Sequence, residues 1–252
     1  LEPTEQEMDF CVVTFNIGCA TMLEAGRQSV SPQDLSRVST PSVSGDLANY
    51  LQTMPGVVSV GDRGGQLFIR GGSPDQNLVL MDNMQVYRPF HIAGFYSAFP
   101  QDLISGAEVY AGGFPAKYSG RLSSVIDVTM RGGNRQFYEG SATIGPFLSG
   151  LSVEGPLGDG GASFLASGRF SQIENTSPVI LGREQPIKFQ DQFVKIQNAT
   201  ENSRCAVTGM HTYDRGKIDA NRNEVFRWSN YGLSGRCVVF SSGSLSLLDI
   251  NF

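Results

Sequence analysis

The stretch Tyr231-Gly-Leu-Ser-Gly-Arg-Cys-Val-Val239 alternates without a break. In an extended chain successive side chains point to opposite sides. Tyr231, Leu233, Gly235, Cys237 and Val239 therefore share one face, and Gly232, Ser234 and Arg236 share the other. The first face suits hydrocarbon and the second a polar interior, the pattern of a strand in a transmembrane barrel wall. A soluble antiparallel sandwich alternates too, so the surrounding sequence has to separate the two.

Residues 138–145, 150–155, 162–170, 189–199, 203–213, 226–240 and 245–252 all read as strands of this kind, about seven in total. Short turns such as Gly158-Asp-Gly-Gly, Thr200-Glu-Asn-Ser and Ser241-Ser-Gly-Ser tend to alternate with longer polar loops at 171–188 and 214–225. Outer-membrane barrels carry short turns at one end and long loops at the other. Cys205 and Cys237 would stand nearly opposite each other if the loop near Asn221 joins adjacent strands. A cross-strand disulfide is conceivable in an oxidising compartment, but two free thiols are the expectation here, because such bridges are often strained.

Composition narrows the class. Glycine is abundant, at 30 of 252 residues, and only 17 % of residues are charged, a low share for a soluble surface. No run approaches the roughly 20 apolar residues of a membrane helix, so a membrane role requires a barrel. A net charge of −5, with scattered Lys and Arg, gives no reason to expect a nucleic-acid partner. The acidic start, LEPTEQEMDF, lacks signal-peptide character. It implies a processed chain or an internal start.

Residues before 135 follow another grammar. Leu47, Tyr50, Leu51 and Met54 share a helical face, Ser44 is placed to cap that helix, and Pro55-Gly56 ends it. Short strand-like runs follow at 66–70, 77–81, 107–110 and 122–130, with a second helical turn near Pro100. Short strands interleaved with small helices indicate an α+β globule. The expected organisation is an N-terminal segment over 1–29, a globular domain over 30–134, and wall strands over 136–252.

Four motifs occur in order. They are Gly45-Asp-Leu-Ala-Asn-Tyr-Leu-Gln-Thr-Met-Pro-Gly-Val-Val, Gly65-Gln-Leu-Phe-Ile-Arg-Gly-Gly, Leu78-Val-Leu-Met-Asp-Asn-Met-Gln-Val, and a closing segment from Ala107 to Val128. Together they resemble the plug domain of TonB-dependent outer-membrane receptors. The stretch Tyr87-Arg-Pro-Phe-His-Ile-Ala-Gly-Phe-Tyr is similar to receptors that carry a carboxypeptidase-regulatory-like N-terminal domain. Asp9-Phe-Cys-Val-Val-Thr faintly resembles the stretch near the energy-coupling box, with Cys11, Phe15 and Cys19 departing from it.

The resemblance implies an α+β plug domain followed by antiparallel transmembrane β-barrel strands. Seven strands make an incomplete barrel, since the family's wall has about 22. The rest would come from sequence beyond this chain or from another chain. It also implies an outer-membrane location with the plug reaching the periplasm, a TonB-type energy-coupling partner, contact with outer-membrane lipid, and uptake of a small-molecule, sugar or peptide substrate. The alternative is a receptor-like structural subunit that packs with other outer-membrane subunits and no longer transports.

By the same resemblance, Tyr87, Arg88, Phe90, His91, Phe95 and Tyr96 form a substrate-facing plug loop, although wall packing is the competing reading for Phe90 and Phe95. Arg70 and Arg121 would latch the plug to wall carboxylates, with ordinary surface arginines as the alternative, and Glu108 is a latch candidate with an internal hydrogen bond as its alternative. No catalytic residue is assigned and an enzyme is not expected: there is no Gly-x-Ser-x-Gly elbow and no His-Glu-x-x-His. Asp159 and Glu154 lie near a turn, where solvation explains them. No cofactor is expected, because neither glycine pair (Gly71-Gly72, Gly112-Gly113) precedes the Lys-Ser/Thr of a phosphate loop. No metal is expected, because the four cysteines form no CxxC pair and only two histidines are present.

Overall fold

A computed structural model describes residues 26–38, 46–60, 66–92, 94, 96–158, 161–217, 224–241 and 244–251. Strand β1 (Arg27–Val30) leads into helix α1 (Pro32–Ser36). Ser31 caps α1 through a reciprocal box with Asp34, and Pro32 opens its first turn, where a missing N–H costs nothing. Helix α2 (Leu47–Gln52) follows, then β2 (Val57–Val60) and β3 (Gln66–Ile69), which pair with each other. Ser44 lies outside the described residues. The cap of α2 is Asp46, whose carboxylate accepts from the Ala48 N–H at 2.7 Å.

The remaining plug strands are β4 (Asn77–Met81), β5 (Met84–Gln85), β6 (Ile104–Tyr110) and β7 (Ser124–Met130). With β1 they form a sheet in the order β1-β6-β7-β4-β5, parallel only between β4 and β7. The expected helical turn near Pro100 is a single 3₁₀ turn, Gln101–Leu103. Asp82 and Asn83, at φ 45° and 67°, make the two-residue turn between β4 and β5. Positive φ at both central residues suits the twist of a tight hairpin, and Asp and Asn tolerate it.

Seven wall strands form one antiparallel meander: β8 (Glu139–Ile144), β9 (Leu148–Leu157), β10 (Ala162–Ser171), β11 (Ile187–Ala199), β12 (Ser203–Gly216), β13 (Phe226–Ser241) and β14 (Ser244–Asn251). The sheet runs from β8 to β14 and does not close: the two end strands are not paired with each other. Helix α3 (Ile173–Leu181) occupies the connection expected to be a plain polar loop. Connections at 172–186 and 217–225, with the short one at 145–147, make one end of the sheet the long-loop end; 158–161, 200–202 and 242–243 mark the short-turn end. Among the described residues no helix is long and apolar enough to cross a membrane.

The alternation read from residues 231–239 is present in space. Tyr231, Leu233 and Val239 are exposed on the outer face, while Ser234 is buried on the inner one. Strand β11 repeats the pattern, with Phe189, Asp191, Phe193 and Lys195 buried and Val194 and Ile196 exposed. Inner-face Leu165, Phe193 and Met210 join the plug core of Leu35, Leu51, Phe99, Leu103 and Val128 in one apolar cluster. Gly232 is required where the plug approaches: a Cβ there would lie 3.0 Å from Met84 Sδ and from Met210 Cγ. Cys205 and Cys237 stand directly opposite each other and are joined as a disulfide, where two free thiols were expected. The one-to-one register of β12 and β13 brings them together.

Candidate functional site

The plug meets the wall through three charged contacts, half-buried to fully buried, each lending a side chain from an irregular plug segment to regular wall strands. Nearest the short-turn end, Arg131, just past β7, holds Glu154 of β9 with two hydrogen bonds of 2.7 Å. The same carboxylate accepts from the Asn134 N–H. Glu154 is therefore not the solvated turn residue expected; it sits on the inner face and is buried. Its proposed companion Asp159 lies outside the described residues.

At mid-height the tight turn aims Asp82 at the wall. Its carboxylate accepts from Lys195 Nζ of β11 at 2.8 Å, from Thr208 Oγ1 of β12 at 3.0 Å and from the Met130 N–H at 3.0 Å. Lys195 also donates to the Met130 carbonyl. Every charge in this group has a partner, which a buried ion requires.

The third contact is the largest. His91 is buried between two wall aspartates, with Nδ1 2.9 Å from Asp214 Oδ2 and Nε2 3.1 Å from Asp191 Oδ2. Neutral imidazole can donate from only one nitrogen, so two facing carboxylates select the doubly protonated ring. Burial alone would lower the His91 pKa, but the charges and hydrogen bonds of Asp191 and Asp214 outweigh it and raise the value to about 9. Phe189 stacks on the ring at 3.9 Å. Arg169 of β10 donates to Asp191 at 2.6 Å and to the Ser97 carbonyl at 2.6 Å. Ser97 in turn donates through its N–H and hydroxyl to Asp46. Burial pushes the Asp46 carboxyl up from its usual range. A continuous polar chain thus runs from the cap of α2 to β12.

Beside this contact lies a cavity of about 390 Å³, lined by Tyr87, Arg88, Phe90, Arg121, Phe226 and Trp228 among others. Arg88 lies over the Trp228 ring at 4.5 Å, a cation–π contact. Of the six loop residues singled out in the sequence, Tyr87 and Arg88 are exposed and line the cavity, and Phe90 lines it while largely buried. His91 and Tyr96 turn instead toward the wall, with Tyr96 tilted on Phe189. Phe95 lies outside the described residues.

Arg70 is exposed at φ 48°, and Arg121 donates to the Gly120 carbonyl; among the described residues neither meets a wall carboxylate. Glu108 pairs with Arg27 and accepts from Tyr110 Oη at 2.7 Å, all within the plug. Burial opposes ionisation of Glu108, but these hydrogen bonds hold its pKa below the usual range. Sequence reasoning missed Asp82, Arg131, Arg169, Asp191, Lys195 and Asp214. Their signal was faint: charged residues on the inward parity of apolar-outward strands.

An α+β globule tied by charged contacts to the inner face of an open seven-stranded antiparallel sheet is the arrangement of a plug domain set against part of a barrel wall. Residues 22–125 match the family described as TonB-dependent Receptor Plug Domain, and the fold of the chain is a plug-type domain followed by an open antiparallel barrel-type sheet. The siderophore receptor PirA from Pseudomonas aeruginosa is similar at 20 % identity and a TM-score of 0.64, covering 90 % of this chain and 40 % of that one. PirA from Acinetobacter baumannii gives 18 % and 0.66, covering 90 % and 39 %. The outer membrane transporter YddB from Escherichia coli gives 15 % and 0.61, covering 90 % and 38 %. The chain thus spans about two fifths of the length of these structures. No curated protein sequence matches it.

Proposed function

We propose that this chain supplies the gate of an energy-coupled outer-membrane transporter, with residues 30–134 as the plug, 136–252 as the first part of the wall and 1–29 as the leading segment toward a TonB-type partner. The observation that carries this reading is the set of plug–wall ion pairs. They hold the globule across the inner face of the sheet by contacts that can be broken and remade, and the cavity sits on the long-loop side of that seal. An outer membrane lacks a nucleotide energy source, so displacement of the plug would be driven by pulling from the inner membrane.

The cavity favours a small anionic substrate with planar or aromatic groups. Arg88 and Arg121 supply positive charge, exceeding the one carboxylate in the lining, Asp75, and Tyr87, Phe226 and Trp228 supply ring faces. A ferric chelate has this chemistry, in keeping with the siderophore receptors among the similar structures. Arg70 and Arg121, left at the plug surface by these seven strands, would latch the plug to further wall, while Glu108 steadies the plug through Arg27. Unchanged uptake and unchanged plug stability in Arg70→Ala would dispose of that latch.

A reversible tether tests the gate. In cells carrying Asp82→Cys together with Lys195→Cys, a bis-maleimide cross-linker with a disulfide in its spacer should abolish uptake of a ferric chelate and reductant should restore it. Uptake that continues with the cross-linker intact would rule out plug displacement, and a receptor transporting under neither condition would point to the structural-subunit role.

A further inference from the structure

The outward face of β11, β12 and β13 is laid out in rows. Val194, Gly209 and Leu233 form one row, and Ile196, Val207 and Gly235 form another on the short-turn side. Toward the long-loop end, His211 and Tyr231 stand opposite each other with ring centroids 4.4 Å apart, and Tyr213 lies in the row beyond. Aromatic rings at this level mark the boundary between hydrocarbon and headgroups.

Two residues past Tyr213, roughly 7 Å along the strand, three cations stand abreast. Lys188 is opposite Arg215, and Arg215 is opposite Arg227. All three are exposed, and buried Ile187, Phe189, Asp214 and Gly216 beside them fix the row on the outer face. Like charges directly opposite on neighbouring strands destabilise a sheet. Among the described residues none of the three forms a salt bridge, and the nearby Asp191 and Asp214 are turned inward and engaged with His91. Three cations in a row, without a carboxylate partner among the described residues, can take an anion from the surroundings.

We propose that Lys188, Arg215 and Arg227 form a binding site for the phosphate of a lipid headgroup, in the leaflet that meets the long-loop end. The inference rests on the outer face of the sheet meeting lipid. The apolar rows take the acyl chains, the Tyr213 and Tyr231 rings sit at the glycerol level, and the cation row closes on the phosphate. Each cation near a membrane surface contributes about a fivefold gain in affinity for anionic lipid.

The test uses the full chain purified in neutral detergent, mixed with micelles of phosphatidic acid or of phosphatidylcholine, with bound lipid counted by native mass spectrometry. Phosphatidic acid should be retained over phosphatidylcholine by roughly a hundredfold, falling about fivefold in each of Lys188→Gln, Arg215→Gln and Arg227→Gln. The triple variant should lose the preference, and the charge-keeping pair Lys188→Arg with Arg215→Lys should retain it. Equal retention of the two lipids by the native chain, or a preference surviving in the triple variant, overturns the site while leaving the lipid-facing sheet intact. Full competition by inorganic phosphate overturns it as well, because the row would then recognise a free anion. Retention of neither lipid removes both the site and the lipid-facing reading.

Discussion

The plug sheet and the wall sheet share a backbone geometry but differ in what they need from their surroundings. In β7, Ser124, Val125, Ile126, Val128 and Met130 are buried, with Val125 in one apolar cluster and Ile126 and Val128 in another on the opposite face; only Thr129, near the strand end, is exposed and Asp127 is half-buried. In β11, buried and exposed residues alternate for most of the strand. A sheet covered on both faces can be apolar throughout. A wall strand must instead be apolar outside and must satisfy every polar group it carries inside. The plug answers the charged ones here: Asp191, Asp214, Lys195 and Glu154 each find a plug partner. The inner face of the wall is thus completed by the plug, and the two regions stabilise each other through charge rather than through apolar area alone.

That mutual dependence can be broken most severely at Asp191. Asp191→Ala leaves His91 and Arg169 as neighbouring buried cations, and removing one partner of a buried ionic group costs about 3–5 kcal/mol. The plug should unfold or detach at clearly lower urea concentration, followed by the near-UV signal of the chain in detergent. A midpoint equal to the native one would show that the inner face does not depend on the plug for compensation.

Titration sharpens the comparison, because it acts on the interface and not on the apolar core. His91 has its pKa raised from 6.5 to about 9, so its contribution is fully present below pH 6.5 and is lost as pH rises through about 9. The shift corresponds to on the order of 3 kcal/mol. The urea midpoint of the plug should fall across this window, and in His91→Gln the dependence should flatten. A native profile that stays level would mean the ring is neutral at this contact.

A smaller effect is expected where the two regions meet by shape. Gly232→Val would place a side chain against Met84 and Met210, and such overpacking costs about 1–3 kcal/mol. Limited proteolysis should show plug segments near Met84 cut faster, with the outer face unaffected.

Much of the architecture was legible because a period of two is a local property. Any observer of Tyr231 to Val239 can assign faces without knowing what lies beyond them, and the order of the plug motifs is likewise written along the chain. Asp46 as the cap of α2, helix α3 and the bridged Cys205 and Cys237 were not legible, since each depends on registers or geometry settled by packing. The charged site was the least visible. His91 reads as an exposed loop residue until 100 and 123 residues of separation are closed to bring it to Asp191 and Asp214. Local alternation determined which side of each strand is wet and which is greasy; only the folded chain decided which charge answers which, because Coulomb partners are chosen by distance in space and not by order in sequence.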